Sequence, residues 1–477
     1  MFVALVALVL AGVAVAARSP GTSLPGGPSL APAALAGAPD AESSAWYCTG
    51  QTTTAGQLAP GSLILTNTGT RTVSGTIHAV TDTGATVHRG VSVPGRGQLV
   101  ADVPAPKTGT WLSEVVVLSG GGVAVSQALH GASGWAEAPC QSSTAQQWFF
   151  PSGLTTGASS LFIALFNPTS TPDVVDLSFI TTKGVEHPIN FQGIVLGPGQ
   201  TQVESIAPYV QDQPTIATTV STRTGRLVAN ELQLFSGTST GLAIVPGSPR
   251  AENVWAVPQN EEVAGGSSSV DIFNPGPTTQ EVTVRARLAS GPLSPFRSRV
   301  LPDTTWLLIT GAQTRIPKGD PYSLVIQAQG GGGVVVGRVV GAPATATAPQ
   351  DGVANGVNEL SAASPSRRWV VPAPGSLAAP ATPGAAPTHL ALTNLSGKRE
   401  AYVVEVMRRS GLRTLASGTL RTETSFSLGT AVLARAGLNP LIVRASGATA
   451  VSEDVGPAGT YGVVTMPGIP LSLATSR

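Results

Sequence analysis

Short apolar runs separated by glycine, proline, serine and threonine recur along the whole chain, and they recur with a long period. Four runs, 63–67, 161–167, 270–274 and 390–394, each end on an asparagine: Asn67, Asn167, Asn274 and Asn394. A polar turn follows each, then an alternating run rich in β-branched residues, at 73–80, 174–180, 282–288 and 402–407. Each of these stops at a glycine, namely Gly84, Gly184, Gly291 and Gly411. Two closing runs about a glycine turn complete the copy: 114–118 with 123–128, 217–222 with 227–232, 323–328 with 334–340, and 441–445 with 448–455. Alternation at period two, broken by turn residues at short spacing, predicts antiparallel strands of a sandwich or barrel.

A tryptophan opens each copy: Trp46, Trp148, Trp255 and Trp369, spaced by 102, 107 and 114 residues. From tryptophan to asparagine the distances are 21, 19, 19 and 25. Three copies carry a proline turn further on, at Pro94-Gly95, Pro198-Gly199 and Pro302-Asp303, whereas the fourth has Arg421-Thr422-Glu423 there. The expectation is an all-β chain of four Ig-like or fibronectin-like antiparallel β-sandwich modules at 45–141, 146–250, 252–363 and 366–473. A period of this length suits a self-contained core, so it predicts beads on a string rather than a solenoid. Helix is expected only near 427–436 and near Ala207, because 56 glycines and 39 prolines interrupt everything longer.

Charge changes the picture by exclusion. Charged residues make up 11% of the chain and the net charge is +1, with the 27 basic side chains scattered. Nucleic acid and acidic lipid need clustered basic residues, so neither is expected as a partner. So uncharged a chain has little with which to blunt open strand edges, and cover by neighbouring modules or loops is expected.

Residues 2–17 carry no polar side chain, and Ala14-Val15-Ala16 offers a small-x-small cleavage pattern before Arg18. The segment 1–18 therefore predicts a signal peptide or membrane anchor, with the membrane engaged through it alone. Residues 19–44, rich in Pro, Ala, Gly and Ser, predict a disordered linker. Shorter stretches of like composition at 342–350 and 373–387 predict a linker and a loop insertion. The two cysteines, Cys48 and Cys140, stand at the opening and close of the first module. In an exported chain they are expected to pair.

Catalytic signatures are sparse. Gly237-Thr238-Ser239-Thr240-Gly241 has the form of a nucleophile elbow, but a strand and turn are predicted after it where the elbow needs a helix. The five histidines form no ligand-spaced cluster; His78 and His88, ten apart across the Gly84 turn, are expected to face each other on paired strands. The adjacent carboxylate pairs Glu261-Glu262 and Glu453-Asp454 point opposite ways on extended chain. Gly330–Gly333 lacks the lysine and helix of a phosphate-binding loop. No catalytic residue, cofactor or metal site is therefore predicted. Of the tryptophans outside the openers, Trp111, Trp135 and Trp306, the candidates for a binding surface are Trp111 and Trp135, the latter beside a glycine-rich loop.

The openers Trp255-Ala256-Val257-Pro258 and Trp369-Val370-Val371-Pro372, the strand ends Phe166-Asn167-Pro168 and Phe273-Asn274-Pro275, and Trp46-Tyr47-Cys48 after an apolar leader carry a resemblance. Together they resemble an uncharacterised family of exported cell-envelope proteins from high-GC actinobacteria, catalogued as a domain of unknown function. Only four basic residues are lysine (Lys107, Lys183, Lys318 and Lys398), in keeping with such a genome. The resemblance implies an exported envelope protein and carries over no catalytic residue; the function expected of the four modules is a non-enzymatic scaffold that meets a wall polymer or another envelope protein. A carbohydrate-binding accessory to wall glycan assembly is the alternative, and a wall hydrolase a more distant one.

Overall fold

The computed structural model describes residues 34–38, 40–53, 58–102, 108–236, 240–262, 267–341, 356–360, 366–373, 385–457 and 464–473. The expected leader, the linker up to residue 33, the 342–350 linker and most of the 373–387 insertion lie outside the described residues. Pro32–Arg477 form one compact unit.

The first module sets the pattern. Its strands are β1 (Ser44–Thr52), β2 (Gly61–Asn67), β3 (Val73–Thr81), β4 (Thr86–Val93), β5 (Gly97–Ala101), β6 (Trp111–Leu118), β7 (Val123–Gly131) and β8 (Gly134–Pro139). They form two antiparallel sheets, in the orders β1-β6-β3-β4 and β5-β2-β7-β8. The next two copies repeat both orders, so the fold is a series of Ig-like β-sandwiches. The fourth departs in one respect. Its two closing runs, expected as separate strands about a turn, continue as the single strand Leu441–Pro457, which joins both sheets into one. The short helix near 427–436 is present as Thr430–Leu433, while the segment near Ala207 is a turn closed by Ile206.

The recurring residues have specific mechanical tasks. Trp46, Trp148, Trp255 and Trp369 are all buried in their module cores. Trp148 and Trp255 donate from Nε1 to the carbonyls of Leu227 (3.0 Å) and Val334 (2.7 Å), at the turn entering the seventh strand. In the first module the corresponding Gly122 carbonyl is taken by Thr68.

Each asparagine is a buried clamp. Asn67 Nδ2 donates to the carbonyls of Arg71 (2.8 Å) and Val93 (3.1 Å), and its Oδ1 accepts from the Gly69 amide. Asn167, Asn274 and Asn394 repeat the arrangement with Thr171, Leu196 and Thr169; with Thr278, Val300 and Gly276; and with Lys398, Leu420 and Ser396. One side chain thus ties the turn after the second strand to the end of the fourth, with the bond to the fourth strand fully buried. Opposite it the backbone enters the left-handed region at Arg96 (φ 48°), Gly199 (φ 67°), Asp303 (φ 49°) and Glu423 (φ 58°). The fourth copy therefore keeps this turn without its proline. The glycines that stop the third runs, Gly84, Gly184, Gly291 and Gly411, all have positive φ, the conformation that a side chain disfavours.

The modules are not beads on a string. The sheet containing β1 and β6 stacks its outer face on the second module's sheet of Ser160–Phe166 and Val228–Phe235. The same head-to-tail step places Phe149, Ile180 and Ala217 of the second module in one core with Phe273 of the third. It also sets Val254–Asn260 of the third against Ala385–Asn394 and Leu441–Pro457 of the fourth. Val370, Met407, Ile442 and Ile469 of the fourth module share one apolar cluster with the core of the first, and the cycle closes. One late strand of each module, β8, Gly241–Pro246, Gly356–Leu360 and Val464–Pro467, touches the next in turn. Repetition of one heterologous contact whose rotation closes produces such a ring.

Replacing Asn274 by alanine leaves the Thr278 and Val300 carbonyls and the Gly276 amide without their shared partner. Urea unfolding of Asn274→Ala should show a loss of about 2–4 kcal/mol; a change within error would remove the clamp from this account.

Candidate functional site: the seams between modules

The seams are where polar and reactive side chains collect. Cys48 on β1 and Cys140 just after β8 form a disulfide, with Cα atoms 4.8 Å apart and both residues fully buried. They lie in the core shared by the first and fourth modules. A buried disulfide of this kind points to an oxidising, extracytoplasmic environment. Among the described residues no helix is long and apolar enough to cross a membrane.

Part of the segment expected as disordered linker is ordered in this same seam. Ala36 donates its amide to Pro470 (3.1 Å), Leu35 to Ser142 Oγ (3.1 Å), and the Gly122 amide donates to the Gly37 carbonyl (2.9 Å). Ala34 and Ala36 pack into the shared core, where small side chains fit between two sheets. Gln98 and Ala373 add a reciprocal pair of bonds, 3.1 and 2.8 Å, across the closure.

The proposed binding tryptophans are half-buried at seams. Trp111 lies against Phe162 of the second module with ring centroids 5.2 Å apart. Trp135 packs on the cluster of Ile64, Ala128 and Val455, where the fourth module meets the first. His78 and His88 pair directly across β3 and β4, with Nδ1 atoms 2.5 Å apart on an exposed face. Burial and the neighbouring His88 hold His78 below its ordinary range. Among the described residues no group of three or more His, Cys, Asp or Glu is arranged to hold a metal. Gly237–Ser239 of the elbow-like pentapeptide lie outside the described residues, and strand Gly241–Pro246 follows directly.

Several carboxyl groups prove to be buried: Glu137 and Glu453 where the first and fourth modules meet, and Glu114 inside the first module. Glu137 on β8 accepts from Ser126 Oγ (2.9 Å), and burial pushes it up to about 8. Glu114 on β6 accepts from Gln51 Nε2 (2.5 Å), and burial likewise pushes it up to about 8. Glu453 is raised well above its ordinary value by burial, then by the like charges of Glu137 and of its chain neighbour Asp454. Asp454 turns the other way, accepting from Thr465 Oγ1 (2.7 Å), with Arg338 and His389 nearby; burial raises it. Two carboxyls that face one another here sit at 5% and 1% exposure, sealed from the open cleft that glycoside chemistry requires. The sequence signal was present but unread: acids on strands whose two faces are both apolar mark carboxyls without access to water.

Uncharged side chains bridge the seams as well. Gln141 Nε2 reaches the Ala229 carbonyl (2.8 Å) and Asn230 Oδ1 (2.9 Å), and Asn230 Nδ2 donates back to the Thr49 carbonyl (2.9 Å). Arg287 donates to the Asn394 carbonyl (2.7 Å) between the third and fourth modules. The seam between the second and third is incomplete. It leaves a solvent-open cleft of about 190 Å³ lined by Leu154, Pro214 and Thr215 on one side and by Ser269, Asp271 and Leu307 on the other.

Residues 119–302 match the Family of unknown function (DUF5719), a stretch running from the closing strands of the first module into the third. No curated protein matches the chain. Among solved structures, the "Crystal structure of tetra-tandem repeat in extending region of large adhesion protein" is similar at 11% identity, covering 85% of this chain and 93% of that one. Its TM-score is 0.12, too low for the correspondence to carry an argument, and the fold rests on the sheets described above.

Two measurements test the seams. Opening the Cys48–Cys140 link by the double serine substitution should cost about 4–5 kcal/mol of unfolding free energy on the chain-entropy account of a 92-residue separation. An unchanged urea midpoint would contradict it. Glu114 and Glu137 have folded values near 8 against an ordinary 4.5, so the folded state keeps protons that the unfolded chain releases. Their contribution to stability is therefore greatest below about pH 4.5 and declines as pH rises towards 8. Glu137→Gln should flatten part of that decline and gain on the order of 2–4 kcal/mol at pH 8; parallel wild-type and variant pH profiles would exclude the buried-acid explanation.

Proposed function

We propose that this chain is a non-enzymatic protein of the cell envelope, exported and displayed outside the membrane. In this reading its four modules act as a rigid platform that presents outer strand edges and loops to a wall polymer or another envelope protein. The observation that carries it is the closure of the fourth module on the first through a shared apolar core. Closure fixes the first and fourth modules against each other. It also buries Glu137, Glu453 and part of Trp135 as packing. The buried disulfide supports an extracytoplasmic setting, and the apolar residues 2–17 supply the expected export signal.

Membrane-impermeant labelling of intact producing cells, followed by fractionation, tests the placement. The chain should be labelled, sediment with the envelope and carry no free thiol. Recovery in the cytoplasm with Cys48 and Cys140 reduced would defeat the proposal. Sedimentation with purified wall polymer and with envelope extract then separates the two kinds of partner. Polymer binding lost in Trp135→Ala would favour the carbohydrate-binding alternative over the scaffold.

A further inference from the structure

The cleft between the second and third modules arises from a difference among the repeats. In the first module Val116 pairs with Trp46, and Trp111 stands five residues earlier; in the second Val220 pairs with Trp148, and Thr215 stands five residues earlier. Five residues before the clamp asparagine, the second module has Phe162 and the third has Ser269. So the stacked pair Trp111–Phe162 that fills the first seam corresponds to Thr215 and Ser269 in the second seam, two small hydroxyl residues in place of two rings. Three residues before the asparagine, the other modules have Ile64, Ala164 and Ala391, all buried. The third has Asp271, which pairs across the sheet with Leu307 and so shares its face.

The opening has a defined chemistry. Asp271 is 2% exposed yet lines the cleft, and Thr215 Oγ1 (3.4 Å), Ser269 Oγ (3.2 Å) and Ser152 hold its carboxylate in place. Leu154, Pro214, Leu307, Ile309 and Val339 make aliphatic walls, and no basic residue lines the space. The charged groups behind the lining are two acids and Arg338, whose charge reaches the Tyr322 hydroxyl. Glu262 accepts from Ser268 Oγ and from the Tyr322 hydroxyl, and Glu231 lies against Gly153. Arg338 precedes Val339 on its strand and so projects from the opposite face, where Nη1 reaches Thr465. Burial pushes the Asp271 carboxyl up to about 6 against the pull of its hydroxyl donors, and a cation beside it would favour the ionised form.

We propose that this cleft binds an alkylammonium group, its methylene stem against the aliphatic walls and its charge on Asp271. The group is either a free amine or a lysine-type side chain of a partner; the seam supplies the same contacts to both. The site is independent of where the protein resides in the cell.

Titration calorimetry on the full chain near pH 7.5 tests it, with n-butylammonium as free amine, Nα-acetyl-lysine methylamide as side-chain probe, and the norleucine analogue as an uncharged control. Both amines should bind with one saturable site while the norleucine compound does not. A tighter lysine derivative identifies a partner side chain; equal affinity identifies a free amine. Asp271→Asn, nearly isosteric, should weaken binding roughly tenfold or more. Thr215→Trp with Ser269→Phe, which rebuilds the aromatic pair of the neighbouring seam, should abolish binding and leave the thermal midpoint at or above that of wild type. Absence of saturable binding by either amine, equal binding of the norleucine control, or Asp271→Asn within about twofold of wild type would overturn the assignment.

Discussion

Sheets covered on both faces are the constraint from which the rest of this structure follows. One face of each sheet packs within its own module, and across each seam the other face meets the neighbouring module. A strand in that position cannot reserve alternate residues for water, so β7 and Val228–Phe235 are buried almost throughout. The scarcity of charge is the compositional counterpart. Where polar side chains remain, they must be satisfied inside the protein, and the glutamines, asparagines and threonines of the seams do this through backbone carbonyls. Carboxyl groups caught there hold their protons or face hydroxyl and amide donors.

Close stacking also explains local features that look arbitrary in one module alone. Gly50, at the irregularity in β1 with φ 95°, stands where a Cβ would come 3.0 Å from Ile244 of the next module. The disulfide lies inside the core where the ring closes, so it restrains the first module at the surface that receives both the fourth module and residues 34–38. Closure in such a chain joins residues far apart in sequence, as in the Gln98–Ala373 bonds, and long-range closure is where a covalent restraint is most effective.

The seams are equivalent in plan and different in filling, and that difference is the source of chemical individuality. The ring pair Trp111 and Phe162 fills the first; the second keeps a ring pair, Phe149 and Phe273, but at the position equivalent to Trp111 and Phe162 substitutes hydroxyls beside a carboxylate and stays open. A repeat protein can acquire a site in this way without altering any module's own core, because the residues concerned face outward from one sandwich and inward from none. The cross-strand histidine pair shows the limit of such surface features: two imidazoles meet, but among the described residues no third ligand stands with them.

Much of the architecture was legible along the chain, because alternation, turn glycines and the repeated tryptophan and asparagine report local requirements. Asn67 and its three counterparts marked strand ends before their hydrogen bonds were visible, and Cys48 and Cys140 marked the two ends of one module. Other features were not legible. Trp111 reads as a spare ring until Phe162 is seen against it, and Asp271 reads as one polar residue in a strand until the opposite wall is in place. The ordered residues 34–38 read as linker because alanine and glycine show no pattern of their own. By itself the sequence determined the strands, the sandwich and the period, since these depend on neighbours a few residues apart. Only the tertiary structure decided that the modules close into a ring, which acids are sealed and which seam stays open, because those depend on surfaces whose complementarity is set by residues hundreds of positions away.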